Sequence, residues 1–163
     1  MSVPVVLKPF SQRIIPSSMM ELPAFLLIAS IVLLILSACS RQVSYPTPVR
    51  IGPDIVIDTS VLEVGVPKFY TYPFHEKHVN FFVVKIGDRI LSFLDACTSC
   101  YPHKRGYRYE DNAVICRDCN VRLPIDKLEK GIGNCYPIKI EGRIEKGKYL
   151  IPADILEKAA VKF

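Results

Sequence analysis

Hydrophobic and polar positions divide this chain into two unlike parts. Residues 22–38 read LPAFLLIASIVLLILSA, seventeen positions without a charge. That is long for the core of a secretory signal. It sits at the lower limit for a helix crossing a bilayer, which takes roughly 17–25 residues. Behind it the apolar residues come in short bursts. Residues 54–58 (DIVID), 69–74 (FYTYPF), 79–86 (VNFFVVKI) and 89–94 (RILSFL) read as strands, followed by 113–116, 136–140 and 148–151. Gly87-Asp88 is a two-residue hairpin signal in which glycine supplies a positive φ. Helical signals are few: 125–130 stops before Gly131, and 154–160 (DILEKAA) fits a short terminal helix. The pattern predicts a mainly β, small α+β domain of short strands behind an N-terminal hydrophobic signal or anchor helix.

Composition sharpens this division. The mean hydropathy of the 163 residues is +0.24, high for a soluble domain. The excess lies in front, where residues 1–39 hold 25 hydrophobic positions. Residues 40–163 carry 34 charged side chains, an ordinary globular content. A disordered chain, a multi-span membrane protein and a large multidomain enzyme are all excluded. Three segments are expected: an N-terminal extension and lipoprotein signal (or membrane anchor) over 1–39, a Pro-containing linker over 40–60, and a Cys-rich domain over 61–163. Leu36-Ser37-Ala38-Cys39 has the form of a bacterial lipobox, which would make Cys39 a lipidated mature N-terminus. The alternative is a retained single helix in which Cys39 is incidental. Basic residues stand on both sides of the segment (Lys8 and Arg13, then Arg41 and Arg50), so charge bias sets no orientation. Either reading tethers the domain to a membrane, on the extracytoplasmic face of a bacterial cell. Pro46, Pro48 and Pro53 favour an extended, semi-stiff spacer between the two.

Five cysteines remain beyond Cys39. Cys97-Thr-Ser-Cys100 and Cys116-Arg-Asp-Cys119 form C-x2-C-x15-C-x2-C, and Cys135 follows. Two residues between cysteines make a tight knuckle that turns both sulfurs toward one centre, and two knuckles on neighbouring hairpins complete a tetrahedron for Zn or Fe. Asn120, just after the second pair, is among the few non-glycine residues that tolerate the left-handed conformation such knuckles need. The competing reading is a disulfide framework, which an extracytoplasmic location would permit. An odd number of cysteines and the close spacing within each knuckle speak against it. Cys135 is open among a fifth ligand, a replacement ligand and a buried thiol.

Other chemistries find little support. Tyr101 and Asn120 stand where c-type haem attachment needs histidine. His75, His78 and His103 do not fall at the positions of a two-histidine iron–sulfur centre and read as exposed turn residues. No nucleophile–base motif or phosphate-cradling loop marks a stand-alone enzyme. Residues 40–163 carry 19 Lys and Arg against 15 Asp and Glu. The cluster 103–109 (HKRGYRY) reads as a solvated loop that offsets thiolate charge, with an anionic partner or lipid headgroups as the sharper alternative. Nucleic acid is not an expected partner.

Several of these stretches resemble a known bacterial family. They are His78-Val79-Asn80-Phe81-Phe82-Val83-Val84-Lys85, Phe93-Leu94-Asp95-Ala96-Cys97, Cys100-Tyr101-Pro102, Gly106-Tyr107-Arg108, Cys116-Arg117-Asp118-Cys119, Cys135-Tyr136-Pro137 and Ile155-Leu156. In this order they are similar to the FtrD-like family of membrane-associated iron–sulfur proteins, over residues 66–163. The resemblance implies a metal centre held by Cys97, Cys100, Cys116 and Cys119, with Cys135 in the family's fifth-Cys position. It also implies iron or an iron–sulfur cluster as cofactor, and membrane iron-transport or electron-transfer proteins as partners. Two stretches depart from the family pattern: Glu110-Asp111-Asn112, where only a turn is affected, and Gly133-Asn134-Cys135-Tyr136, which bears on the geometry around Cys135. The leading expectation is a membrane-tethered iron protein that transfers single electrons or handles iron beside an uptake or respiratory system. A structural zinc-ribbon interaction module needs the same cysteines without redox activity. A thiol–disulfide oxidoreductase would need one Cys pair, but the usual βαβ context is missing.

Overall fold

A computed structural model describes residues 45–163. The apolar segment, the lipobox and Cys39 lie outside the described residues. The described part is mainly β, with eleven short strands in three sheets.

The central sheet is built from β3 (Lys68–Phe74), β4 (Lys77–Ile86), β5 (Arg89–Cys97) and β9 (Pro137–Ile140), in the order β3-β4-β5-β9 and antiparallel throughout. Its sequence explains its position. A strand with one wet face alternates apolar and polar residues, whereas one buried on both faces is apolar throughout. β4 is of the second kind: every residue from Val79 to Val84 is buried. Val79, Phe81 and Val83 enter one core, while Phe82 and Val84 enter another. Asn80, the polar exception, accepts a hydrogen bond from Thr71 Oγ1 at 2.8 Å.

An outer sheet and a helix cover the first face. The sheet runs β1-β2-β11-β10, from β1 (Val49–Ile51), β2 (Asp54–Asp58), β10 (Arg143–Glu145) and β11 (Lys148–Pro152). Ile55, Ile57, Tyr149 and Ile151 point inward from it, beside Leu156 of α1 (Ala153–Ala159) and the terminal Phe163. The second face carries a three-stranded meander of β6 (Tyr107–Glu110), β7 (Ala113–Cys116) and β8 (Arg122–Pro124). Tyr107, Val114 and Leu123 pack there on Phe82 and Phe93, together with Cys97, Cys116 and Cys135.

The strands expected from the sequence are present, with small shifts at their ends. The helix expected over 125–130 is a single 3-10 turn, Ile125–Lys127. Six residues between Pro124 and Gly131 are too few to sustain an α-helix. The larger difference concerns the Pro-containing stretch 40–60. Its described part is not a spacer. Residues 49–58 form a hairpin, and β2 pairs with β11 over five residues, from Asp54↔Pro152 to Asp58↔Lys148. Ahead of it, the Tyr45 ring stacks on Phe69 at 5.0 Å, and the Pro46 carbonyl accepts from the Thr71 amide. Proline is tolerated along a sheet edge and in a turn, so these prolines mark boundaries of strands and not an unpacked tether.

Ile55 is fully buried in the first core. Ile55→Ala is therefore expected to lower stability by about 2–5 kcal/mol in urea unfolding of the domain. A residue in a solvated spacer would change it by no more than about 0.5 kcal/mol.

Candidate metal centre

Each of three chain segments delivers sulfur to one place, on the second face of the central sheet. β5 carries Leu91, Phe93 and Cys97 toward that face, and its last residue is the first sulfur. The chain then turns sharply, so that the amides of Ser99 and Cys100 both donate to the Cys97 sulfur. The second pair repeats the arrangement at the end of β7, where the amides of Asp118 and Cys119 donate to the Cys116 sulfur. Two intervening residues are what this geometry needs, since only amides two and three positions onward can curl back onto the leading sulfur. The chain leaves the second knuckle through Asn120 at φ 57°, in the expected left-handed conformation, and the Val121 amide donates to the Cys119 sulfur.

The third segment is the turn before β9. Ile132 and Cys135 exchange backbone hydrogen bonds of 3.0 and 3.1 Å, which closes a small loop. The residues inside the first knuckle hold this loop. Thr98 Oγ1 and Ser99 Oγ donate to the Asn134 carbonyl at 2.8 and 2.7 Å, and the Thr98 amide donates to the Tyr136 carbonyl at 3.0 Å. β9 pairs with β5 at Cys97↔Pro137, so the ladder itself sets Cys135 beside Cys97.

Cys97 Sγ stands 3.1 Å from Cys135 Sγ, which in turn stands 3.4 Å from Cys119 Sγ. Two sets of sulfurs, Cys97 with Cys116 and Cys135, and Cys100 with Cys116 and Cys119, each lie within 4.8 Å of one another. Cys116 belongs to both. The first set is buried, Cys100 is half-buried and Cys119 is exposed, so the group has a dry side and a wet side. All five are free thiols, and their separations exceed the roughly 2.05 Å of a disulfide. The knuckles sit in two different sheets, not on neighbouring hairpins as the spacing had suggested. No histidine joins either set among the described residues.

The electrostatics divide the sulfurs. Burial pushes the Cys97 thiol up, but hydrogen bonds from Cys135 and the two knuckle amides outweigh it and bring Cys97 down to about 7. Cys119 is drawn down in the same way, by the Val121 amide and its sulfur neighbours against burial. Burial holds Cys100, Cys116 and Cys135 up, reinforced by the charge of adjacent thiolates. Five such groups cannot all ionise together unless a cation shares the site. In a tetrathiolate site with metal–sulfur bonds of about 2.3 Å, neighbouring sulfurs are separated by about 3.8 Å. The Cys97–Cys135 and Cys135–Cys119 separations lie a little inside that value and each set stays within 4.8 Å, so the residues present fit a thiophilic metal.

Residues 62–163 match the family described as membrane iron-sulfur containing protein FtrD-like. The chain belongs to this family. No curated protein matches it. The FtrD-like description carries both membrane association and iron–sulfur content, and the clustered cysteines suit the second. No helix among the described residues is long and apolar enough to cross a membrane.

The structure also shows parts of the FtrD-like site that the sequence reading missed. The stretch 103–109 is not simply a solvated loop, because it ends in β6, where Tyr107 is fully buried among the sulfurs. Lys104 and Arg105 remain exposed, and His103 Nδ1 lies 2.8 Å from Asp118 Oδ2, which joins the loop to the second knuckle. Asp95 is buried beneath Gly106 and accepts from the Tyr107 amide at 2.6 Å. Burial raises Asp95 to about 7 against that bond and the nearby Arg117. Gly106 has φ +65°, and a Cβ there would run into the Asp95 carboxylate. Of the two departures from the family pattern, Asp111 and Asn112 form the β6–β7 turn, both at positive φ. In the second, Gly133 keeps a positive φ of its own.

Gly131 offers a test of how Cys135 is placed. Its φ is +64°, and a Cβ there would meet Tyr136 Cβ at 2.5 Å and the Cys135 carbonyl at 2.9 Å. Gly131→Ala is expected to cost at least about 1–2 kcal/mol from the left-handed backbone alone. It should also displace the loop, so that Cys135 becomes alkylated faster in chelator-treated protein while Cys116 does not. Equal alkylation rates at Cys135 in variant and wild type would refute this account of the loop.

Proposed function

We propose that this is a membrane-tethered iron or iron–sulfur protein, serving single-electron transfer or iron handling beside a membrane iron-uptake or respiratory system. Cys97, Cys100, Cys116, Cys119 and Cys135 are the ligand set. One observation carries the reading: five free thiols from three separate segments converge, with backbone amides from both knuckles aimed at the sulfurs. Such amides favour a negative, thiolate-rich centre. When bound, iron in a thiolate cage supplies a reversible one-electron couple whose charge change is spread over metal and sulfur.

The chain's own residues divide the remaining work. Phe82, Phe93, Tyr107 and Leu123 exclude water from the side of Cys97, Cys116 and Cys135. Cys100 and Cys119 lie toward solvent, beside the exposed His103, Lys104 and Arg105. That cationic rim offsets the charge of the thiolates and gives an acidic redox partner a surface to approach. The apolar segment at 22–38 suits a tether. A lipid on Cys39 would anchor the chain stably only as part of a doubly acylated N-terminus.

Metal and acid-labile sulfide analysis of the anaerobically purified full chain tests the reading. Stoichiometric iron with sulfur-to-iron charge-transfer absorption that bleaches on reduction is expected. Stoichiometric zinc without those bands would overturn it in favour of a structural zinc site. Because Cys116 belongs to both sulfur sets, Cys116→Ser should abolish metal retention, whereas Cys119→Ser, at the exposed corner, should leave a larger bound fraction.

A further inference from the structure

Tyr107 is fully buried, yet its hydroxyl completes no hydrogen bond. A buried hydroxyl left unpaired is destabilising, and a phenylalanine would fill the same space without that cost. The residue is also held firmly. Its amide donates to Asp95 Oδ1 at 2.6 Å, and its carbonyl accepts from Arg117 Nε at 2.8 Å. It stands directly across the β6–β7 ladder from Cys116, and its ring meets Phe82 edge-on at 6.2 Å. The side chain has no exposure to water. It shares the second core with Cys97, Cys116 and Cys135, so sulfurs are the polar neighbours of the hydroxyl, Cys97 foremost. A neutral thiol is a poor acceptor, and a thiolate is a strong one.

We propose that the Tyr107 hydroxyl is a hydrogen-bond donor to the Cys97 sulfur of the metal-loaded centre, and so raises the reduction potential of that centre. Adding an electron increases negative charge on the sulfurs, and a fixed donor stabilises that state more than the oxidised one. Tyr107 is thus a tuning and positioning residue and not a ligand. The effect on potential rests on the iron reading above, whereas the hydrogen bond itself needs only a metal thiolate.

Tyr107→Phe removes one oxygen atom and tests both parts. In the anaerobically purified, iron-loaded full chain the variant should keep the wild-type iron content and circular dichroism. Its midpoint potential should fall, and the shift of its iron–sulfur stretching bands in heavy water should shrink. An unchanged potential together with an unchanged isotope shift, at equal iron content, overturns the proposal. A variant that folds but no longer holds metal, or that fails to fold, also overturns it, because the hydroxyl would then be a structural prop. If the wild-type chain carries no iron, the iron reading fails separately, and Co(II)-loaded protein decides the hydrogen bond. Loss of the donor should move the sulfur-to-cobalt charge-transfer band to lower energy, and an unmoved band counts against it.

Discussion

Burial of both faces of the β4–β5 hairpin is the condition on which the rest of this domain depends. Val79, Phe81, Val83 and Leu94 fill one core, while Phe82, Val84, Leu91 and Phe93 fill the other. At about 25 cal/mol per Å2 of apolar surface removed from water, such a ribbon is strongly stabilising only when something covers each side. On one side the cover is the outer sheet and α1. On the other it is the small meander and the sulfur-bearing loops. The site is therefore not an appendage to a finished fold. Cys97, Cys116 and Cys135 are part of the second core, so a metal held by them would be linked to core packing through the same atoms.

That linkage explains the polarity of the site. Sulfurs packed against Phe82, Phe93 and Tyr107 have lost water, which disfavours their charged form. Amides curled over Cys97 and Cys116 restore part of what water would have given, as fixed dipoles. Exposed cations at Lys104 and Arg105 add a weaker contribution at the open corner. The group thus has a dry side, which sets the electronic environment of the sulfurs, and a wet side at Cys100 and Cys119.

Much of this was readable before any coordinates. The stretch 79–86, apolar at most positions, announced a strand, and Gly87-Asp88 announced the hairpin that follows. The two C-x2-C pairs announced two knuckles, and Asn120 the left-handed exit from one of them. The features that escaped notice share a physical cause. β1, β6, β8 and β10 have three or four residues each, too few for a period to show. Tyr107, set in a run of Lys, Arg and Tyr, has a basic neighbourhood in sequence and an apolar one in space. The hydroxyls of Thr98 and Ser99 hold the Cys135 loop, a contact with a distant segment that local sequence does not show.

The sequence by itself determined the number and kind of donor atoms, the local turn at each Cys pair and the mainly β character, because these depend on neighbours within a few residues. Only the tertiary structure decided that Cys135 joins the other four, since its approach depends on β9 pairing with β5. Only the tertiary structure turned the stretch at 49–58 from tether into sheet, through pairing with β11 near the other end of the chain. It alone placed the Tyr107 hydroxyl beside the sulfurs. Long-range pairing and burial are properties of the packed chain as a whole, and no window of local sequence carries them.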